Sequence, residues 1–86
     1  MQAIVNVSKK SAYAHLNGHT FEVREVMHSN NSNMPMFGLD IEGQTLDFSA
    51  KEVIIVALKH HVHASKYRLN VNGALLKYAE INKIKL

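Results

Sequence analysis

Apolar and polar positions alternate most regularly between Met36 and Val56, where Phe37, Leu39 and Ile41 fall on one side of an extended chain. A two-residue turn at Glu42-Gly43 pairs Ile41 with Gln44, Leu39 with Leu46 and Phe37 with Phe48. Asp40, Thr45 and Asp47 are then left on the opposite, wet face. The result is a hairpin with one dry side. Such a ribbon is not stable alone, so the remaining residues must supply strands or a helix to cover it.

The flanking segments are read in the same way. Ala3 to Val7 is a short first strand, and Ser8 to Ser11 is a polar break. Ala12 to Met27 predicts a second hairpin turning at Asn17-Gly18, the favoured pair for a type I′ turn. Pairing outward from that turn puts Ala12, Ala14 and Leu16 on one face with Phe21 and Val23. Alternation fails at Arg24-Glu25-Val26, where a bulge would return Val26 to the core. Residues 28–35 read as a loop, the segment expected to be most mobile, because Asn and Ser compete for backbone hydrogen bonds and Pro35 lacks a donor.

Two stretches remain ambiguous. Ser49 and Glu52 have capping-box spacing, which suits a helix from Lys51 onward. The β-branched block Val53 to Val56 instead favours one tight turn followed by a strand buried on both faces, and this is the reading adopted. Tyr67 to Val71 alternates like a strand, and Asn72-Gly73 is a further turn signal, so Leu69 would face Leu76 and Arg68 would lie beside Lys77 across a last hairpin. Residues 74–86 can equally be helix, with Asn72 as a cap. Residues 57–66 have neither period and form the one plausible internal joint.

The order of features in residues 2–56 resembles an SH3-like small β-barrel: the one-faced hairpin, a one-turn connection at Ser49 to Glu52 and a short apolar last strand at Val53 to Val56. The resemblance implies a mainly β fold, either a small SH3-like barrel or a curled antiparallel sheet of five to seven short strands, to which residues 74–86 add either a last strand or a short C-terminal helix. It also implies a binding role, to nucleic acid or peptide, rather than catalysis. Residues 57–86 would be a basic extension completing the sheet of a single 86-residue domain.

Charge adds a direction to this. The net charge of +3 conceals an asymmetry: residues 1–56 carry four Lys/Arg against six acids, a balance of −2, whereas residues 57–86 carry six against Glu80 alone, a balance of +5. A basic C-terminal third points to a polyanion or an acidic protein surface. Lys59, Lys66, Arg68 and Lys77 supply charges for phosphates, Tyr67 a flat side chain for stacking, and His60, His61 and His63 contacts that strengthen as pH falls. RNA or another single strand is favoured over duplex DNA, because no basic recognition helix is evident. The alternative is a protein-binding inhibitor or adaptor, of the kind a virus directs at its host, acting through a strand edge or the Asn33-Met34-Pro35-Met36 loop. A homo-oligomer through an open edge is compatible with either.

Other chemistries find no support. The chain has no cysteine, which excludes thiolate nucleophiles and Cys-ligated zinc. Two of the clustered histidines share a face in either a strand or a helix, but two ligands do not make a metal site. Ser8, Ser11, Ser49 and Ser65 lie in no nucleophile context, and no glycine-rich loop opens a helix. No enzyme activity, cofactor or metal is therefore expected. The absence of a long apolar run or secretory h-region leads to the expectation of a cytoplasmic protein without a membrane span.

Overall fold

A computed structural model of the chain describes residues 1–28 and 34–86. Five strands form one antiparallel sheet: β1 (Gln2–Val5), β2 (Thr20–Met27), β3 (Met36–Ile41), β4 (Gln44–Ser49) and β5 (Val53–Ile55), in spatial order β4-β3-β2-β1-β5. Two helices follow, α1 (Leu58–Ala64) and α2 (Leu69–Ile81). The loop expected over residues 28–35 falls mostly outside the described residues; of its last positions, Met34 is exposed and Pro35 is buried.

The hairpin from β3 to β4 has the register read from the sequence: Phe37 opposite Phe48, Leu39 opposite Leu46 and Ile41 opposite Gln44. Glu42 and Gly43 both take positive φ, 52° and 84°, as a type I′ turn demands, and the Asp40 carboxylate accepts a hydrogen bond from the Gly43 amide at 3.1 Å. The bulge is also present, as a register shift between Val23 and Glu25 where β2 pairs with β3.

β4 and β5 lie at opposite edges of the sheet, yet only Ala50, Lys51 and Glu52 join them. Four Cα steps reach at most about 15 Å, whereas four strand spacings of a flat sheet span about 19 Å. The sheet is therefore curled. The link is tightened further: the Glu52 amide bonds the Ser49 carbonyl at 2.9 Å, and the Glu52 carboxylate accepts from the Ser49 amide at 2.8 Å. Ser49 and Glu52 thus close a turn into β5, as the favoured reading had it, and do not start a helix. β5 is not buried on both faces, however: as an edge strand it buries Val53 and Ile55 and leaves Ile54 48% exposed.

The hairpin expected at Asn17-Gly18 is absent, and of the two readings of residues 74–86 the helix is the one that forms. The stretch before Gly18 contains a 3₁₀ turn, Ala14–Leu16, and β2 pairs with β1 through Ala3 opposite Phe21. Asn17 has φ −55° and ψ 135° and Gly18 has φ 83°, with a His19-to-Leu16 backbone bond of 3.1 Å; that is type II geometry, which reverses the chain into β2 without aligning two strands. Likewise Asn72 and Gly73 lie inside α2, and residues 57–86 cover the sheet instead of completing it. The deciding pattern is burial of Ala74, Leu75, Tyr78 and Ala79, a helical spacing that outweighs the short alternation of Tyr67 to Val71. These residues pack into one core with Val5, Phe37, Leu39, Phe48 and Val53, where the rings of Phe37 and Tyr78 meet edge to face at 5.7 Å.

Candidate functional site

The joint between α1 and α2 holds most of the basic residues singled out in the sequence, and it is fixed from inside. Leu58, Val62 and Ser65, spaced i, i+4 and i+7, form the inward side of α1: Leu58 and Ser65 are buried and Val62 is half-buried. The side-chain amide of Asn72 on α2 donates to the Val62 carbonyl at 3.0 Å, and the Ser65 hydroxyl donates to the same carbonyl at 3.2 Å. Asn72 therefore ties the two helices together.

The outward side of α1 presents Lys59 and His63 at i, i+4, and Lys66 continues that line through the turn. Tyr67 follows, 86% exposed, with the Lys66 ammonium 4.9 Å from its ring centre. The lysine covers one face of the ring and leaves the other to solvent.

Arg68, at the N-terminal cap of α2, lines a cleft of about 580 Å³ between β2 and the first turn of α2. Val23, Val26 and Val71 give it apolar walls, Asn70 adds a polar group, and Leu69, 80% exposed, stands at the rim. Arg24 is paired with Asp40 at 3.0 Å, and its guanidinium also lies 3.5 Å from the Gly43 carbonyl and the Thr45 hydroxyl. Arg68 forms no ion pair among the described residues.

A second lobe of about 160 Å³ shares Arg68 and Val71 with the cleft and is lined by His61. The His61 imidazole stacks edge to face with His60, ring centres 5.3 Å apart. Burial lowers the pKa of His61 below its ordinary value; the N-terminal ammonium and His60 act in the same direction and Glu22 against it. At neutral pH His61 therefore enters the site mainly uncharged.

The predicted set thus divides. Lys59, His63, Lys66 and Tyr67 share the outer stripe, His61 and Arg68 line the cleft, and His60 sits on the far side of α1 beside His61. Lys77 does not join them. It lies nine residues along α2 from Arg68, about 13 Å of helical rise, with its ammonium 3.4 Å from the Glu80 carboxylate. The cross-strand pairing of Arg68 with Lys77, and any anion held between them, is excluded because the hairpin that would align them is a helix. Leu69 and Asn70 of the cleft lie outside the set read from the sequence, where Asn70 gives no signal.

No protein-family model matches the chain, and no curated protein or solved structure resembles it significantly. Among the described residues no three His, Asp or Glu side chains converge as metal ligands, and no helix is long and apolar enough to cross a membrane.

Proposed function

We propose that this protein is a non-enzymatic single-strand nucleic-acid-binding module, RNA favoured, which uses the α1–α2 joint as its interface. The observation that carries the reading is Tyr67: a large ring held almost wholly in solvent, one face against Lys66, with Lys59 and His63 in line behind it and Arg68 immediately after. An exposed aromatic ring costs hydration, whereas a base stacked on its free face would be stabilised by about 1–3 kcal/mol. Lysines along the same stripe follow a phosphate backbone.

Strand order β4-β3-β2-β1-β5 with a one-turn β4–β5 link supports an SH3-like barrel as the scaffold. The two titratable groups with displaced pKa values, His61 and Tyr78, support binding over catalysis, since Tyr78 is engaged in backbone hydrogen bonds and His61 has no carboxylate or hydroxyl bonded to it among the described residues.

A salt titration with a single-stranded RNA 10-mer tests the proposal. With Lys77 paired and His61 neutral, three or four cationic contacts remain, so log K should fall against log salt with a slope of about −2 to −3. Lys66→Ala and Tyr67→Ala should each weaken binding about tenfold at low salt without changing the unfolding midpoint. Undetectable RNA binding at low salt, together with a nuclease-resistant protein partner recovered at high salt, would favour the protein-binding alternative.

A further inference from the structure

We propose that the cleft between β2 and the first turn of α2 takes one unstacked nucleotide of a bound single strand, its base between the valines and its phosphate on Arg68. This rests on the single-strand reading above and adds a place where sequence is read. A volume of about 580 Å³ is in the range of small-ligand sites and admits a single nucleotide unit.

The lining matches the parts of that unit. A base has apolar faces and a polar edge, and the cleft offers Val23, Val26 and Val71 for the faces and Asn70 for the edge. The Asn70 amide nitrogen is 3.5 Å from the Val26 carbonyl, too long to hold the side chain firmly, so its amide remains free to pair with a base. The Arg24 guanidinium is not part of this lining: it is held by Asp40 and Thr45 on the opposite face of the sheet.

Arg68 brings a guanidinium to the cleft and has no carboxylate partner among the described residues, a single cation that matches a phosphodiester better than a triphosphate. A fatty carboxylate would share the anionic end, but its chain would lie against Asn70 and desolvate it without return. Chain continuity completes the path: Lys66, Tyr67, Arg68, Leu69 and Asn70 are consecutive, so a strand stacked on Tyr67 reaches Arg68 with its next phosphate.

The test combines amide-resolved titration with oligomer variants. AMP, CMP, GMP and UMP are titrated singly, and at least one should shift the amides of Val23, Val26 and Val71 at millimolar concentration. An RNA 10-mer should lose about tenfold in affinity when a single abasic position is introduced at the preferred site. Asn70→Ala should cost the intact 10-mer a similar factor while leaving the abasic 10-mer unaffected; Arg68→Lys should retain part of the affinity that Arg68→Ala loses.

If the 10-mer binds with the expected salt slope but cleft amides stay still and the abasic site costs nothing, the nucleotide pocket is wrong and the single-strand reading stands. If nucleotides move the cleft amides while no 10-mer binds, the pocket stands and the strand path falls. Displacement of the same amides by dodecanoate and by no nucleotide overturns the assignment of the ligand.

Discussion

The phenolic oxygen of Tyr78 lies 2.9 Å from the carbonyl oxygen of Val53, and accepts a 3.1 Å hydrogen bond from the amide of Ile55. One side chain of α2 thereby satisfies two backbone groups, the Val53 carbonyl and the Ile55 amide, on the side of β5 that faces away from β1. Tyr78→Phe keeps the contact with Phe37 but leaves a buried donor and acceptor without partners. The expected loss is about 1–3 kcal/mol, read as a lower urea midpoint with an unchanged slope; a loss below about 0.5 kcal/mol would mean that water replaces the hydroxyl.

Burial raises the pKa of Tyr78, only partly offset by the Ile55 amide bond. The folded chain therefore holds this proton at alkaline pH where the unfolded chain has released it. Stability should fall as pH climbs above about 10. Tyr78→Phe should flatten that decline.

His61 gives the opposite limb. Its pKa is lowered in the folded state, chiefly by burial, so below about pH 6.5 the unfolded chain binds a proton that the folded chain resists. Its contribution to stability is complete at neutral pH and is lost as pH falls into that window. His61→Gln should reduce the difference between unfolding midpoints measured at pH 7.5 and pH 5.5.

Two glycines should respond with opposite sign. A Cβ on Gly73, inside α2, meets nothing closer than the His28 ring nitrogen at 3.8 Å, so Gly73→Ala should stabilise by about 0.5–1 kcal/mol through helix propensity. A Cβ on Gly38 would stand 2.8 Å from the Thr45 methyl and 3.1 Å from the Asp47 carboxylate. Gly38→Ala should destabilise by about 1–3 kcal/mol. Thermal unfolding of the pair checks both directions against one baseline.

Asn17 accepts from the Val7 amide at 2.8 Å and donates to the Val7 carbonyl at 3.0 Å, a side chain imitating the strand partner that Val7 lacks. Asn17→Ala should cost about 1–3 kcal/mol, whereas Asn17→Asp should lose only the donating half. Protection of the Val7 amide from hydrogen exchange, abolished in the first variant and retained in the second, separates the two.

That contact also explains why the first half of the chain was only partly legible. The hairpin of β3 and β4 could be read because local pairing, turn chemistry and alternation agree at Phe37, Leu39, Ile41 and Phe48. Asn17-Gly18 and Asn72-Gly73 carry the same turn signal but answer to distant partners: Asn17 to Val7, Asn72 to Val62 and Ser65. Dipeptide chemistry cannot distinguish a turn-former from a side chain committed to another segment. At the site, the clustering of Lys59, His63, Lys66 and Tyr67 could be read from their closeness in sequence. The cleft could not, since it depends on Val23 and Val26 of β2 approaching the start of α2 across more than forty residues.

The engagement of β5 by Tyr78 has a consequence for how copies of this chain can meet. With the Tyr78 hydroxyl on the outward Val53 carbonyl and Ile55 amide, a second strand could pair along that flank only by displacing α2. On the far flank the Ser49 amide is already capped by Glu52, which leaves that edge only the short row from Thr45 to Asp47 for joining a second molecule, where Asp47 of each copy would repel the other.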